Sequence, residues 1–182
     1  AVIEQLVAGN DVLAIMPTGG GKSLCYQIPA LVRPGLAIVV SPLIALIKDQ
    51  VDALRANGVA AAGLHSGLAR DELLEVYSQL WRGDLKLLYI APERILLPDF
   101  LARLQDLPLS LIAIDEAHCI SQWGHDFRPE YAELGRLKQL FPHIPIAALT
   151  ATADDATRID ILNRLGLHEP FVHLASFDRP NI

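Results

Sequence analysis

The hydrophobic residues of this chain form short continuous runs, and the segments between the runs carry hydrophobic residues at helical spacing. The runs predict strands over residues 11–15, 36–40, 59–64, 85–90, 109–114 and 144–149. The other segments predict helices over residues 1–8, 22–32, 43–56, 70–81, 93–104, 130–140 and 154–165. Because the strand runs are hydrophobic at nearly every position, both faces of the sheet should be covered.

The alternation of strands and helices predicts an α/β domain, with a mostly parallel central sheet between two layers of helices. The chain has 182 residues, of which 52% are hydrophobic and 20% charged, and this suits one folded domain. Ligands of such sheets bind at the carboxyl ends of the strands. Glycine-rich and polar segments follow the predicted strands there, at residues 17–23, 41–42, 91–93, 115–116 and 150–152.

Net charge, cysteine spacing and hydropathy narrow the function classes. The formal net charge of −6 argues against a generally basic nucleic-acid coat but allows a local nucleic-acid path. Cys25 and Cys119 lack CxxC spacing, so buried thiols of a reducing cytosol are favoured over a disulfide or a zinc site. No hydrophobic run is long enough to span a membrane and no secretory signal is visible, so a cytoplasmic protein without a membrane partner is expected.

A glycine-rich loop joins the first predicted strand to the next helix, with the sequence Pro17-Thr18-Gly19-Gly20-Gly21-Lys22-Ser23. Glycines allow backbone N–H groups to point at phosphate oxygens, and the helix N-terminus favours an anion. Lys22 would reach the β and γ phosphates of ATP, and Ser23 would bind Mg²⁺. The strict pattern has glycine where this chain has Met16, and the alternative is an ordinary glycine-rich turn.

An acidic motif, Asp115-Glu116-Ala117-His118, follows the hydrophobic run 109–114. A magnesium nucleotide site needs a carboxylate at such a strand end, and Asp115 fits this role. A second carboxylate orients the attacking water, and Glu116 fits that one. On its own, Asp-Glu after a strand is usually a loop or the first turn of a helix.

These motifs resemble the RecQ family of DNA helicases in superfamily 2. The resemblance covers essentially the whole chain and is carried by residues 16–27, 41–50, 89–94, 115–131, 149–153 and 177–182. It implies a three-layer RecA-like P-loop domain over residues 1–176, truncated at its N-terminus. Residues 177–182 would begin a linker to a second RecA-like domain. The family's zinc-binding region would lie beyond Ile182, so no zinc ligands are expected here.

The resemblance also implies roles for individual residues. Lys22, Asp115, Glu116 and His118 would be the catalytic residues, with His118 linking the ATP site to the second domain or to a loop. Residues 121–128 would form an aromatic-rich loop that makes ATP hydrolysis depend on DNA. The DNA-facing and coupling residues would be Ser41, Pro42, Lys48, Gln50, His65, Ser66, Arg94, Trp123, His125, Phe127, Arg128, Thr150 and Thr152.

Residues 121–128, the aromatic segment, can also be interpreted without the family resemblance. Trp123, His125 and Phe127 offer flat faces for base stacking, and Arg128 can pair with a phosphate. The alternative is that Trp123 and Phe127 pack into the core beneath a loop. For Lys48 and Arg94 the alternative is exposed helix charges, and a lone histidine such as His65 is more often a surface or hydrogen-bonded side chain.

The expected activity is that of an ATP-dependent 3′–5′ DNA helicase of DNA repair and recombination, including the SOS response. It would act on single-stranded DNA and single/double-strand junctions in the cytoplasm, or the nucleoid if bacterial. The 182-residue chain alone should bind nucleotide weakly and scarcely turn it over, because the second domain would supply an arginine finger. The alternatives are an RNA helicase of the same superfamily and an ATP-switched DNA-binding module that never unwinds.

Overall fold

The computed structural model describes residues 1–17, 21–124, 126–151, 154–167 and 169–175. Its helices are α1 (Val2–Val7), α2 (Leu24–Val32), α3 (Ile44–Ala56), α4 (Arg70–Arg82), α5 (Pro92–Ile95), α6 (Pro98–Leu104), α7 (Arg136–Leu140) and α8 (Asp155–Leu165). Its strands are β1 (Val12–Ile15), β2 (Leu36–Val40), β3 (Ala61–Leu64), β4 (Leu87–Ile90), β5 (Leu109–Ile114), β6 (Ile146–Thr150) and β7 (Phe171–Leu174). Two 3₁₀ helices, Ala117–Ile120 and Pro129–Glu133, follow β5.

The described strands form one seven-stranded sheet in the order β3-β4-β2-β5-β6-β1-β7. Every neighbouring pair is parallel. Parallel neighbours need long crossover connections, which the helices supply here. The strand before the glycine-rich loop, β1, is separated by β6 alone from β5, the strand before the acidic motif. The predicted α/β fold with a parallel central sheet is therefore confirmed.

The core consists of two hydrophobic clusters, one on each face of the sheet. Successive strand side chains point to opposite faces, so Leu13 and Ile38 belong to one cluster while Val12 and Val39 belong to the other. Helices α1, α2 and α3 pack on the face of Val12, and helices α4 to α8 pack on the face of Leu13. The described helices thus cover both faces of the sheet.

Two of the predicted helices are broken. The predicted helix 93–104 is two helices, α5 and α6, because the proline ring of Pro98 cannot continue an α-helix and Leu97 is extended. The predicted helix 130–140 starts as the 3₁₀ helix Pro129–Glu133, and only Arg136–Leu140 is α-helical.

One described strand, β7, was not predicted from the sequence. It pairs in parallel with β1, and its residues are alternately half-buried and exposed, as an edge strand permits. His173 interrupts its hydrophobic run, so the criterion that finds the central strands does not detect it. Residues 177–182, the predicted linker, lie outside the described part of the chain.

Among the described residues, no helix is both long enough and hydrophobic enough to cross a membrane.

Candidate functional site

The carboxyl ends of the central strands meet at one edge of the sheet. Ile15 at the end of β1 lies opposite Thr150 at the end of β6. Ile114 at the end of β5 lies opposite Val40 at the end of β2. The glycine-rich loop, the acidic motif and Ser41 therefore leave the sheet at the same edge.

Lys22 connects the glycine-rich loop to the acidic motif. Its Nζ lies 3.5 Å from Asp115 Oδ1 and 3.4 Å from Glu116 Oε1. The side chains are 16% exposed for Lys22, 8% for Asp115 and 24% for Glu116, so water screens these charges only in part. The fold thus brings together an ammonium and two carboxylates that are far apart in sequence.

The backbone at Glu116 has an unusual conformation. Its φ of 52° and ψ of 46° lie in the left-handed region, which residues other than glycine rarely adopt. Asp115 Oδ1 accepts a hydrogen bond from the Glu116 N–H at 2.9 Å, and the Asp115 N–H is held by Val40 O at 2.9 Å. Such strain persists where the surrounding structure enforces it, and it is common at functional sites. The turn leaves both carboxylates within reach of Lys22.

Burial changes the acidity of Asp115. Desolvation raises its pKa, the nearby positive charge of Lys22 lowers it, and the Glu116 carboxylate raises it again. The net direction is upward, so the ionised carboxylate is less stable here than in water. Because the raised pKa favours the protonated form in the folded state, this contribution to stability is present at low pH and lost as pH rises. A cation beside Asp115 would favour its ionised form.

His118 joins the acidic motif to the end of β6. Its Nδ1 lies 2.7 Å from Thr150 Oγ1 and 3.6 Å from Glu116 Oε2. Both His118 and Thr150 are buried, at 5% and 0% exposure. The His118 ring therefore lies between Thr150 at the end of β6 and the Glu116 carboxylate that follows β5. Thr152, which the sequence groups with Thr150, lies outside the described residues.

Tyr131 holds the backbone of the acidic motif, and the sequence analysis assigned it no role. Its fully buried hydroxyl donates a hydrogen bond to Asp115 O at 2.8 Å. The signal was present, because Tyr131 closes the stretch 115–131 that carries the family resemblance. A tyrosine hydroxyl in a core needs a partner, and here the partner is the backbone of a site residue.

We expect Tyr131→Phe to lower the free energy of unfolding by about 1–2 kcal/mol, because the Asp115 carbonyl loses a buried hydrogen bond. Urea denaturation followed by circular dichroism measures it, with an unchanged m-value showing that the folded state is the same. Tyr77→Phe is the matched control, since the Tyr77 hydroxyl meets only Arg94 at 3.4 Å in the described structure. Equal losses from the two variants would contradict the support role.

The structure describes Pro17 and residues 21–23 of the glycine-rich loop, and this part fits phosphate binding. Pro17 and Ser23 are half-buried, and Ser23 immediately precedes α2. Gly21 has a φ of +75°, where an L side chain would be strained. Thr18, Gly19 and Gly20 lie outside the described residues.

A partly buried hydrogen-bonded network connects the helix after the loop to the helix after β2. Gln27 Nε2 on α2 donates to Gln50 Oε1 on α3 at 2.8 Å and to the Tyr89 hydroxyl at 2.9 Å. The Tyr89 hydroxyl lies 3.1 Å from that of Tyr26. Gln50, predicted to face DNA, is thus half-buried and bound to α2. Sequence reasoning missed Gln27 and Tyr89 because nothing in their spacing shows that they meet.

The remaining candidates on the β2 and β3 side differ in exposure. Ser41 is buried, Pro42 is half-buried and Lys48 is exposed. His65 is 3% exposed and its Nδ1 accepts a hydrogen bond from the Gly67 N–H at 3.0 Å.

Charge and burial act together on His65. Burial, then Lys48, lowers the pKa of His65, which favours the neutral ring. Ser66 beside it is exposed, and Arg94 is half-buried. Lys48 and Ser66 are therefore the more accessible candidates on this side of the edge.

The aromatic segment exposes its tryptophan. Trp123 is 72% exposed, so it does not pack into the core. Ser121 is fully buried, and its hydroxyl accepts from the Trp123 N–H at 3.1 Å and donates to Asp160 Oδ2 at 2.8 Å. The buried Ser121 hydroxyl thus holds the backbone of Trp123, whose indole is exposed beside the acidic motif.

The rest of the segment is less accessible. Phe127 and Arg128 are half-buried, and Arg128 lies 3.7 Å from Asp126. His125 lies outside the described residues.

Known proteins similar to this chain are helicases. The profile of the DEAD/DEAH box helicase family matches residues 1–160. The ATP-dependent DNA helicase RecQ of Pasteurella multocida (strain Pm70) is 58% identical over 181 residues, covering 100% of this chain and 29% of that protein. The probable ATP-dependent DNA helicase RecS of Bacillus subtilis (strain 168) is 48% identical over 182 residues, covering 100% of this chain and 36% of that protein. This chain therefore spans well under half of the length of these relatives.

Solved structures share the fold. The Hef helicase domain of Pyrococcus furiosus superposes with a TM-score of 0.72 at 20% identity, covering 97% of this chain and 37% of that one. A hypothetical ATP-dependent RNA helicase from Sulfolobus tokodaii gives a TM-score of 0.66 at 18% identity, covering 96% and 50%. At these identities the likeness concerns the three-layer RecA-like architecture alone.

Proposed function

Because this chain belongs to the DEAD/DEAH box helicase family, and within it is a first motor domain of the RecQ type, we propose that it binds and hydrolyses ATP to drive a DNA helicase. The observation that carries the proposal is the cluster of Lys22, Asp115 and Glu116 at the carboxyl edge of the sheet. Phosphoryl transfer needs charge stabilisation on the phosphates and a group that orients the attacking water. This cluster supplies both at one place.

Lys22, Glu116 and His118 have different tasks in the reaction. Lys22, a compact point charge, binds the β and γ phosphates just before the N-terminus of α2. Glu116, the more exposed carboxylate, orients the attacking water and accepts its proton. His118 holds Glu116 in relation to Thr150, which makes it a positioning residue for the ATP site.

The donor set suits Mg²⁺. The Ser23 hydroxyl and the Asp115 carboxylate are the hard oxygen ligands that this ion takes, together with water and phosphate oxygens. When bound, Mg²⁺ neutralises phosphate charge in the transition state. Asp115 is the better of the two carboxylates for this task, because its buried charge needs a cation beside it.

DNA binding is proposed for the exposed groups at the same edge. Trp123 offers an indole face to a base, while Lys48 and Ser66 offer a charge and a hydroxyl to the backbone. Arg128, Phe127 and the buried Thr150 would transmit DNA contact to the acidic motif. The overall negative charge favours a narrow path at these residues over a generally basic surface.

We expect Trp123→Ala to weaken single-stranded DNA binding by about 5- to 150-fold, the worth of one stacked base. DNA-stimulated ATP turnover should fall more than basal turnover, because Trp123 is held beside the acidic motif rather than within it. Fluorescence anisotropy of a labelled oligonucleotide and steady-state ATPase assays with and without DNA measure the two effects.

The control for Trp123→Ala is Val32→Ala at the end of α2. Val32 is 62% exposed, so the variant also removes an exposed hydrophobic side chain, but near the start of β2, at the opposite edge of the sheet from the acidic motif. It should bind DNA as the parent does. If Trp123→Ala lowered basal and stimulated turnover by the same factor, the coupling role would be lost.

The properties of the whole protein are part of the proposal. ATP would lie between this domain and a second RecA-like domain, and closure around ATP would alternate with opening after hydrolysis. The relatives are considerably longer than this chain, which leaves room for such a domain. We further propose movement 3′ to 5′ and a role in DNA repair and recombination, including the SOS response, in the cytoplasm.

A strand-separation assay on the full-length protein tests the function directly. Unwinding of a DNA duplex with a single-stranded tail, dependent on ATP, is the expected result. Unwinding of an RNA duplex in preference would favour an RNA helicase. ATP-dependent DNA binding without strand separation would favour a switched binding module. Tails of opposite polarity decide the direction of movement.

A further inference from the structure

Three chemically different side chains meet where the acidic motif ends. His118, Cys119 and Asp126 each place one nitrogen, sulfur or oxygen atom within 4.8 Å of the other two. The two neighbours lie on the 3₁₀ helix Ala117–Ile120, and the chain then turns back so that Asp126 reaches them. Cysteine spacing does not reveal such a site, because only one of the three ligands is a cysteine.

We propose that His118, Cys119 and Asp126 bind one Zn²⁺ ion. An imidazole nitrogen, a thiolate and a carboxylate oxygen are the donor types that Zn²⁺ prefers, and three protein ligands leave a fourth position for water. Thiolate and carboxylate together balance the charge of the ion. Binding is a ligand exchange in which the ion loses water and the Cys119 thiol releases its proton to solvent.

The distances are close to those of a tetrahedral site. Ligand atoms at normal zinc bond lengths lie about 3.5 Å apart in a tetrahedron. Cys119 Sγ lies 3.8 Å from Asp126 Oδ2, so this pair needs to move by only a few tenths of an ångström. Even the 4.8 Å limit of the cluster requires a shift of about 1 Å.

The surroundings orient the histidine. Thr150 Oγ1 at 2.7 Å and Glu116 Oε2 at 3.6 Å both face His118 Nδ1. Zinc-bound histidines commonly use one ring nitrogen for the ion and the other for such a partner.

The cluster is open on one side. His118 and Cys119 are buried, whereas the Asp126 side chain is 48% exposed. An ion can thus enter past Asp126. Arg128 Nη2, 3.7 Å from Asp126 Oδ2, competes for the same carboxylate and has to share it or move away.

Occupancy would tie the aromatic segment to the acidic motif. The ion would connect residue 126, near Trp123, to the 3₁₀ helix that carries His118. A lowered DNA stimulation of ATP turnover would follow, and this consequence rests on the proposed function. Metal binding itself does not, so it is tested without DNA or nucleotide.

The experiment is a titration of the reduced, metal-free 182-residue chain with Co²⁺, a spectroscopic substitute for Zn²⁺. We expect a thiolate-to-cobalt band in the near ultraviolet that saturates at one equivalent and disappears when Zn²⁺ is added. Excess Mg²⁺ should leave the band unchanged, because Mg²⁺ takes oxygen ligands. Absence of the thiolate band, or its loss to Mg²⁺, would overturn the proposal.

Two pairs of variants locate the site. Cys119→Ser should abolish the thiolate band, whereas Cys25→Ser should keep it, since Cys25 pairs with Met16 at 3.6 Å instead. Asp126→Asn should weaken Co²⁺ binding at least about tenfold, whereas Glu130→Gln, which changes an exposed acid outside the cluster, should not. The Asp126 pair decides the matter if Cys119→Ser fails to fold. Equal affinities in Asp126→Asn and the parent would refute the site.

Discussion

Lys22→Ala should abolish measurable ATP turnover, with a fall in kcat of at least about 10²- to 10³-fold, the effect of removing one group that stabilises developing charge. Lys22 is the one described cation within 4 Å of both carboxylates of the acidic motif. Nucleotide affinity should fall as well, because the phosphates lose their point charge. Steady-state ATPase assays on the full-length protein and titration with a fluorescent ATP analogue measure the two losses.

The variant should stay folded but become less stable at neutral pH. Lys22 lowers the pKa of the buried Asp115, so its removal raises that pKa further and makes the ionised carboxylate costlier. The stability deficit should therefore shrink as the pH falls and Asp115 takes up a proton. Thermal unfolding at several pH values tests this, and a deficit that grows on acidification would contradict it.

Two further variants distinguish the effect of the Lys22 charge from the effect of its side-chain shape. Lys22→Arg keeps a positive charge beside the carboxylates and should retain stability, yet it should still lose turnover because a planar guanidinium does not replace a compact ammonium. Arg82→Ala is the control, since it removes an exposed positive charge on α4. Its turnover should match the parent. Full activity in Lys22→Arg would show that the position needs only charge.

The layered fold could be read from the sequence because each central strand is a continuous hydrophobic run. Such runs need cover on both faces, and the helical segments between them provide it. The breaks were harder to predict. Pro98 interrupts a segment whose hydrophobic spacing still resembles one helix, and β7 is a short edge strand whose pairing with β1 depends on tertiary contact.

Local sequence motifs predicted the part of the candidate site that directly follows the strands. Lys22, Asp115 and Glu116 follow strands in recognisable patterns, and the resemblance to RecQ helicases that these patterns carry is confirmed by the comparisons. Contacts between distant elements could not be read this way. The Gln27–Gln50 bond and the Tyr131 hydroxyl bond depend on how helices pack over the sheet.

Glu116→Gln should lower kcat by about 10²- to 10⁴-fold, the usual worth of a general base, while nucleotide affinity stays close to that of the parent. Glutamine keeps the shape of the side chain and can still accept a hydrogen bond, but it cannot take a proton from water. Lys22 and Asp115 remain paired at 3.5 Å, so the phosphate and magnesium groups are unaffected. The variant therefore separates chemistry from binding, which Lys22→Ala does not.

The matched control for Glu116→Gln is Glu75→Gln on α4, which makes the same chemical change at an exposed residue. Single-turnover measurements with saturating nucleotide distinguish a slow chemical step from weak binding. We expect the slow step in Glu116→Gln and normal turnover in Glu75→Gln. If Glu116→Gln kept turnover within about tenfold of the parent, the loss would fall short of a general base, and the water-orienting role would pass to another group. His118, 3.6 Å from Glu116 and buried beside it, would then be the first residue to test.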